Sequence, residues 1–121
     1  MTTDIRIVLV TAPNAESAAA IVGTLLEERL IACGNLVNDV RSIFRWNGQV
    51  EDESETLIVL KTVEARVPEL LRRIPELHTY DVPEALVLDV EAGHGAYLDW
   101  VTRETESPPG STQCAAGSPL E

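Results

Sequence analysis

Over about its first hundred residues, the chain alternates between the apolar period of a strand and that of a helix. Residues 5–12 form a β-branched apolar run that ends at Pro13, as expected of a strand buried in a sheet. Asn14 then suits the N-cap of a helix, and apolar residues recur with helical spacing from there until Gly34. The pattern therefore predicts a strand followed directly by a helix.

Apolar residues with helical spacing also predict a helix over residues 67–77, although a proline lies inside it. Pro68 suits the first turn of a helix, but Pro75 should kink or end the helix because proline has no N–H to donate. Residues 84–90 then predict a last strand, and residues 96–104 predict a short terminal helix. The predicted order of elements is βαββαβα.

A long hairpin is predicted between the two helical stripes. Residues 36–46 and 55–61 are rich in apolar residues and flank Asn47–Gly48, a pair typical of a tight turn. At about 3.3 Å per residue, residues 36–46 span roughly 36 Å, whereas a domain of about 100 residues is only about 34 Å across. Apolar residues fall in both phases of this strand, so either both faces are apolar or a β-bulge switches the phase. We expect the hairpin to overhang its own domain and to be covered in a homo-oligomer.

This order of elements is typical of an α+β fold, the ferredoxin-like βαββαβ sandwich, here with a long protruding hairpin and a short C-terminal helix. The predicted domain covers residues 1–104. In residues 105–121, eight of seventeen residues are Pro, Gly or Ser and none is Lys or Arg, which predicts a flexible tail. Cys114 in that tail is interpreted as incidental, and Leu120–Glu121 is consistent with either native sequence or a cloning remnant.

Composition and charge narrow the classes of partner. With 45% hydrophobic and 24% charged residues, the chain is typical of one soluble domain. A formal charge of −11 and a pI near 4.5 disfavour binding to nucleic acid or to an anionic membrane surface. No targeting segment or membrane span is visible in the sequence, and Cys33 and Cys114 are more typical of free thiols than of a disulfide framework. We therefore expect a cytosolic protein.

Six short motifs follow one another along the predicted domain. They are Val10-Thr11-Ala12-Pro13, EERLIACGN (27–35), SIFRWNG (42–48), LKT (60–62), HTYDVPE (78–84) and YLDW (97–100). Together, from the first strand to about Arg103, they resemble the CutA divalent-cation-tolerance family. The resemblance implies a ferredoxin-like fold in a tight homotrimer whose long hairpins cross between subunits. It also implies an association with tolerance to divalent metals, copper especially, and with direct metal binding.

The motif at residues 78–84 offers metal-ligating groups. His78, Asp81 and Glu84 supply an imidazole and two carboxylates, and a weakly bound divalent cation such as Cu or Zn would suit these donors. Cys33 would add a soft thiolate, although a buried, inert thiol is the competing interpretation. The alternative for the motif is structural, with His78 ending the second helix and Tyr80 packing the turn.

A second candidate site would bind a small ligand. Lys61 follows an apolar run and would hold an anion or a carboxylate, with Tyr80 and Glu84 as partners. The alternative is that the Lys61 ammonium extends into water. Three aromatic residues are the candidate anchors of the trimer interface: Phe44, Trp46 and Trp100. One acidic run is interpreted as a solvated flank of the hairpin, with loose attraction of cations as the alternative: Glu51, Asp52, Glu53 and Glu55.

Enzymatic function is not indicated. The sequence lacks a nucleophile elbow, a phosphate-binding glycine loop, a dinucleotide fingerprint and a histidine-rich zinc motif. Three hypotheses stay open: a trimeric metal-responsive protein, a trimeric sensor of a small metabolite, and a scaffold whose assembly is itself the function.

Overall fold

The computed structural model describes residues 2–106, and the predicted tail beyond Glu106, with Cys114, lies outside the described residues. The order of elements is the predicted one. The strands are β1 (Ile5–Ala12), β2 (Cys33–Trp46), β3 (Gln49–Val63) and β4 (Leu86–Asp89), and the helices are α1 (Ala15–Glu27), α2 (Val67–Leu77) and α3 (Gly95–Glu104). A 3₁₀ turn, Glu64–Arg66, precedes α2. None of the helices within residues 2–106 has the length and apolar character that a membrane crossing requires.

The four strands form one antiparallel sheet in the order β2-β3-β1-β4. Alternate residues of β1 face α1 and α2, and Val8 and Val10 are fully buried there. The main core is therefore a layer between the sheet and these two helices, as the βαββαβ order requires.

The opposite face of the sheet is covered only in part. At one end α3 packs on it, where Trp100 and Val101 cluster with Ile5 and Val63. Away from α3, the same face carries apolar side chains that are half-buried or exposed, and this surface is called the open face: Ile7, Leu9, Leu57, Val59, Leu86 and Leu88.

The first helix ends earlier than its apolar stripe predicts. Asn14 is the N-cap as expected, since its side chain accepts a hydrogen bond from the Ser17 N–H at 2.8 Å. However, α1 stops at Glu27 rather than near Gly34, because Arg29 adopts a φ of 60°. The N–H of Leu30 then bonds back to the Leu25 carbonyl at 3.0 Å, a Schellman-type end of the helix.

The second helix continues through its internal proline. Pro68 lies in the first turn as expected, and α2 runs two residues beyond Pro75 before it ends at Leu77. Pro75 removes one hydrogen bond from α2, and only two residues of the helix follow it. His78 is the C-cap, as the structural interpretation of that residue predicted.

The hairpin is longer than predicted and extends past the sheet. β2 has 14 residues and β3 has 15, or roughly 45–50 Å at about 3.3 Å per residue. β1 pairs with β3 only as far as Thr56, so residues 40–55 form a two-stranded projection, called the ribbon. Asn47 and Gly48 both have positive φ values, 51° and 79°, as the predicted turn requires.

A β-bulge separates the ribbon from the sheet. The register shifts between Val37 and Val40, where Asp39 has a φ of 61°. The extra residue switches which side chains of β2 share a face. Of the two alternatives that the sequence left open for this strand, the β-bulge is thus the observed one.

Trp100, one of the predicted anchors of the trimer interface, packs largely within its own chain. Its side chain is only 8% exposed and packs with Ile5, Ala32 and Val63 inside the chain, with its ring centroid 5.5 Å from that of Tyr97. Helical spacing alone cannot distinguish a residue that anchors α3 to its own sheet from one that faces another subunit. Phe44 and Trp46, by contrast, are exposed on the ribbon.

Candidate functional site

A cleft of about 700 Å³ lies between the base of the ribbon and the loop that follows α2. Its walls come from the ribbon, the end of β1 and the loop of residues 78–84. The lining residues are Thr11, Ser42, Ile43, Phe44, Trp46, Glu51, Glu53, Glu55, Tyr80, Asp81, Val82 and Glu84. The cleft thus joins parts of the chain that are up to 73 positions apart.

Five carboxylates dominate this cleft. Alternation along β3 places Glu51, Glu53 and Glu55 on one face. The bend after α2 brings Asp81 and Glu84 to the same cleft. Within residues 2–106, no Lys or Arg forms an ion pair with any of the five. The cleft is therefore a strongly negative surface without an internal cation.

Glu55 lies at the inner end of the cleft and is only 8% exposed. The Tyr80 hydroxyl donates a hydrogen bond to its Oε2 at 2.7 Å. Burial raises the pKa of Tyr80, and the hydrogen bond to the negative charge of Glu55 raises it further. Tyr80 is thus a donor that stays protonated and holds the loop against β3.

Among the five carboxylates of the cleft, Glu84 has a shifted pKa. Its pKa lies above the ordinary value of 4.5, first because of burial and second because of repulsion by Glu55. A carboxylate whose ionisation a neighbouring carboxylate opposes lies at a position where a bound cation would relieve the repulsion.

His78 fixes the loop through both of its ring nitrogens. The Tyr80 N–H donates to Nδ1 at 3.1 Å, so the proton is on Nε2, which donates to the Thr11 carbonyl at 2.7 Å. The side chain is buried, and its ring centroid lies 4.6 Å from that of Tyr80. This geometry agrees with the structural interpretation of His78 and leaves neither ring nitrogen free for a metal.

Cys33 and Lys61 lie elsewhere in the chain. They are cross-strand partners, and Lys61 is six positions along β3 from Glu55, about 20 Å away. The Lys61 ammonium donates to the Asn35 side chain, whose Oδ1 is also 3.7 Å from the Cys33 sulfur. One chain therefore does not bring Cys33 to the other predicted metal ligands, nor Lys61 to Tyr80.

Among residues 2–106, no group of three His, Cys, Asp or Glu side chains is arranged to hold a metal ion. The side-chain donors that line the cleft are oxygens: five carboxylates, the Tyr80 phenol and the hydroxyls of Thr11 and Ser42. A thiolate or imidazole copper site does not fit these residues, whereas a hydrated cation held by one or two carboxylates does.

The place of the acidic run in a cleft does not follow from the sequence, which favours a solvated flank and leaves loose attraction of cations as the alternative. Three of its members line the cleft, and Glu55 is buried. A signal was present: Glu51, Glu53 and Glu55 alternate with period two and lead directly into the apolar core of β3.

Comparison with known proteins places this chain in a family. The family model described as CutA1 divalent ion tolerance protein matches residues 6–104. The divalent-cation tolerance protein CutA of Thermus thermophilus is 42% identical over 100 residues, which cover 83% of this chain and 97% of that protein. The human Protein CutA is 42% identical over 98 residues, and the match spans only 55% of its length.

Solved structures agree with this assignment. The crystal structure of CutA from Xylella fastidiosa matches with a TM-score of 0.84 and 33% identity, over 86% of this chain and all of that one. CutA1 from Pyrococcus horikoshii matches with a TM-score of 0.81 and 44% identity, over 84% of this chain and 99% of that one. The fold, the family model and the relatives agree: the chain belongs to the CutA1 divalent ion tolerance protein family.

Proposed function

We propose that this protein is a homotrimer that takes part in the response to divalent metal ions, copper among them, and binds such ions weakly through carboxylates. One observation carries the metal-binding part of this proposal. Glu55 and Glu84 line the same cleft, where repulsion by Glu55 adds to the raised pKa of Glu84 and no described Lys or Arg forms an ion pair with either carboxylate. A divalent cation would supply that compensation.

The donor chemistry sets the expected affinity and selectivity. Oxygen ligands suit hard cations, and softer Cu and Zn ions bind tightly only when nitrogen or sulfur ligands join. Because His78 is engaged and Cys33 is distant, weak and poorly selective binding is expected. Protein residues would leave several positions on the metal to water.

The trimer is supported by two surfaces that one copy leaves uncovered. The open face carries Leu86 and Leu88 in exposed positions, and the ribbon exposes Phe44 and Trp46. Contiguous apolar surface of this kind is typical of an interface between subunits. The relatives' family name carries the association with divalent ions.

The two alternatives receive less support. A sensor of an anionic metabolite would need Lys61 beside Tyr80 and Glu84, yet one chain separates them, so two copies would have to form that site. Catalysis is not part of the proposal, because Cys33, the described thiol, pairs with Lys61, about 20 Å along β3 from Glu55. A scaffold function without metal binding would leave the paired carboxylates of the cleft unexplained.

Isothermal titration calorimetry of the full chain with Cu²⁺, Zn²⁺ and Mg²⁺ tests the proposal. We expect weak binding that Glu84→Gln and Glu55→Gln each weaken at least about tenfold. Glu27→Gln, an exposed carboxylate on α1, is the matched control and should change nothing. Wild-type protein that gives no heat above buffer with any of the three ions would refute the metal part, and a monomer in sedimentation equilibrium would refute the assembly.

A further inference from the structure

The two faces of the ribbon differ in charge. Cross-strand partners share a face, so the register places Phe44 with Glu51 and Ser42 with Glu53. This side, called the acidic face, is continuous with the cleft and consists of Ser42, Phe44, Trp46, Glu51, Glu53 and Glu55. The opposite side, called the basic face, pairs Ile43 with Asp52 and Arg45 with Val50, and also carries Arg41.

Charge is unbalanced on both faces. On the basic face, Arg41 holds Asp52 in a two-pronged ion pair, with N···O distances of 2.9 and 2.6 Å, so these two charges cancel. Arg45 is exposed and forms no ion pair with any residue of the described part of the chain. The acidic face keeps three carboxylates without a cation. Each face thus carries the charge that the other lacks.

Both faces also carry apolar side chains that remain in water. Ile43 and Val50 on the basic face are 60% and 63% exposed, while Phe44 and Trp46 on the acidic face are 38% and 49% exposed. A two-stranded ribbon is marginal on its own, and covering these side chains would stabilise it. Whatever covers the acidic face must therefore combine apolar groups with positive charge.

We propose that the basic face of a second copy covers the acidic face of the first, and that Arg45 of the second copy pairs with Glu51 and Glu53. This inference rests on the proposed assembly and specifies its polarity. Contact between different faces is heterologous, and such contacts form a closed ring, as in a trimer, when the rotation between copies closes. Two acidic faces in contact would instead place six carboxylates together, which repulsion opposes.

In this arrangement, the second copy closes one end of the cleft and leaves the other end open to a cation. Arg45 of the second copy and its apolar neighbours close the outer end, beside Phe44 and Glu51. The inner end, with Glu55 and Glu84, stays available to a cation. Assembly therefore completes the wall of the site, and a single copy would present it open to water.

Charge reversal tests the pairing in full-length protein by sedimentation equilibrium. At about 50 mM salt, Arg45→Glu and Glu53→Arg should each raise the protein concentration of half-dissociation at least about tenfold. The effect should shrink at about 1 M salt, where the Debye length is only about 3 Å. The double variant should return to within about threefold of wild type. Arg72→Glu, the same change on the exposed surface of α2, is the matched control and should leave assembly unchanged.

Circular dichroism of each variant confirms that its fold is retained, and Arg45→Gln, which adds no charge, should give a smaller loss than Arg45→Glu. Assembly of Arg45→Glu equal to that of wild type, or a double variant no better than the singles, would overturn the pairing while leaving the trimer and the metal site standing. A monomeric wild type would overturn the trimer itself and the pairing with it. Loss of metal binding by Glu84→Gln with normal assembly would support the metal site independently.

Discussion

The hydrogen bond between Tyr80 and Glu55 gives the most direct test of whether the inner cleft is dry. Tyr80→Phe removes one hydroxyl and leaves the ring in place. In the wild type, that hydroxyl donates at 2.7 Å to a carboxylate that is 8% exposed. Hydrogen bonds to charged groups contribute roughly 1.5–3 kcal/mol, and a buried acceptor that loses its donor also loses compensation for desolvation. We expect Tyr80→Phe to lower the free energy of unfolding by about 2 kcal/mol.

Urea denaturation at one fixed protein concentration measures this loss, because stability of an assembled protein depends on concentration. Tyr97→Phe is the matched control: the Cys33 thiol packed against the same cluster is at most a weak partner for the Tyr97 hydroxyl, so the change should cost less than about 1 kcal/mol. In a Glu55→Gln background, Tyr80→Phe should also cost less than about 1 kcal/mol, because a neutral acceptor forms a weaker bond. Equal losses for Tyr80→Phe and Tyr97→Phe would mean that water replaces the hydroxyl freely and that Glu55 is not in a dry site.

Three further predictions concern packing, pH and capping. A Cβ on Gly34 would lie 2.7 and 2.9 Å from the two methyl carbons of Val22, so Gly34→Ala should destabilise by about 1–3 kcal/mol in urea denaturation and by much less in a Val22→Ala background. The raised pKa of Glu84 means that the folded state binds the Glu84 proton more tightly than the unfolded state does. The stability that this protonation contributes to the fold is complete below pH 4.5 and is lost as pH rises through the higher pKa of the folded state. Glu84→Gln should therefore gain stability relative to wild type between pH 4 and pH 7, and a pH-independent difference would contradict this. Asn14→Ala removes the cap of α1 and should cost about 1 kcal/mol by the same assay, whereas no change would show that the cap is dispensable.

Features that depend on neighbouring residues could be predicted from the sequence. The bounds of β1, the cap at Asn14 and the turn at Asn47–Gly48 all matched, because each follows from the chemistry of a few adjacent residues. The end of α1 did not follow, since Leu30 stays buried and continues the apolar pattern while the backbone at Arg29 has already left the helix. Periodicity reports burial, and burial persists after a helix ends.

The sequence also determined which loop contributes to the site, but not what that loop faces. It singled out His78, Asp81 and Glu84, and the last two do line the cleft. Only the tertiary structure decided that His78 bonds to Thr11, 67 positions away, and that the buried carboxylate is Glu55.

The register between paired strands determined which other residues lie near the cleft. It placed Cys33 and Lys61 about 20 Å along the sheet from Glu55, and the bulge at Asp39 determined which ribbon residues share a face. Local chemistry determines how each segment folds, but it carries little information on which distant residue lies opposite. Pairing between distant strands is selected by the burial of the whole sheet, so the composition of the site was settled only by the tertiary structure.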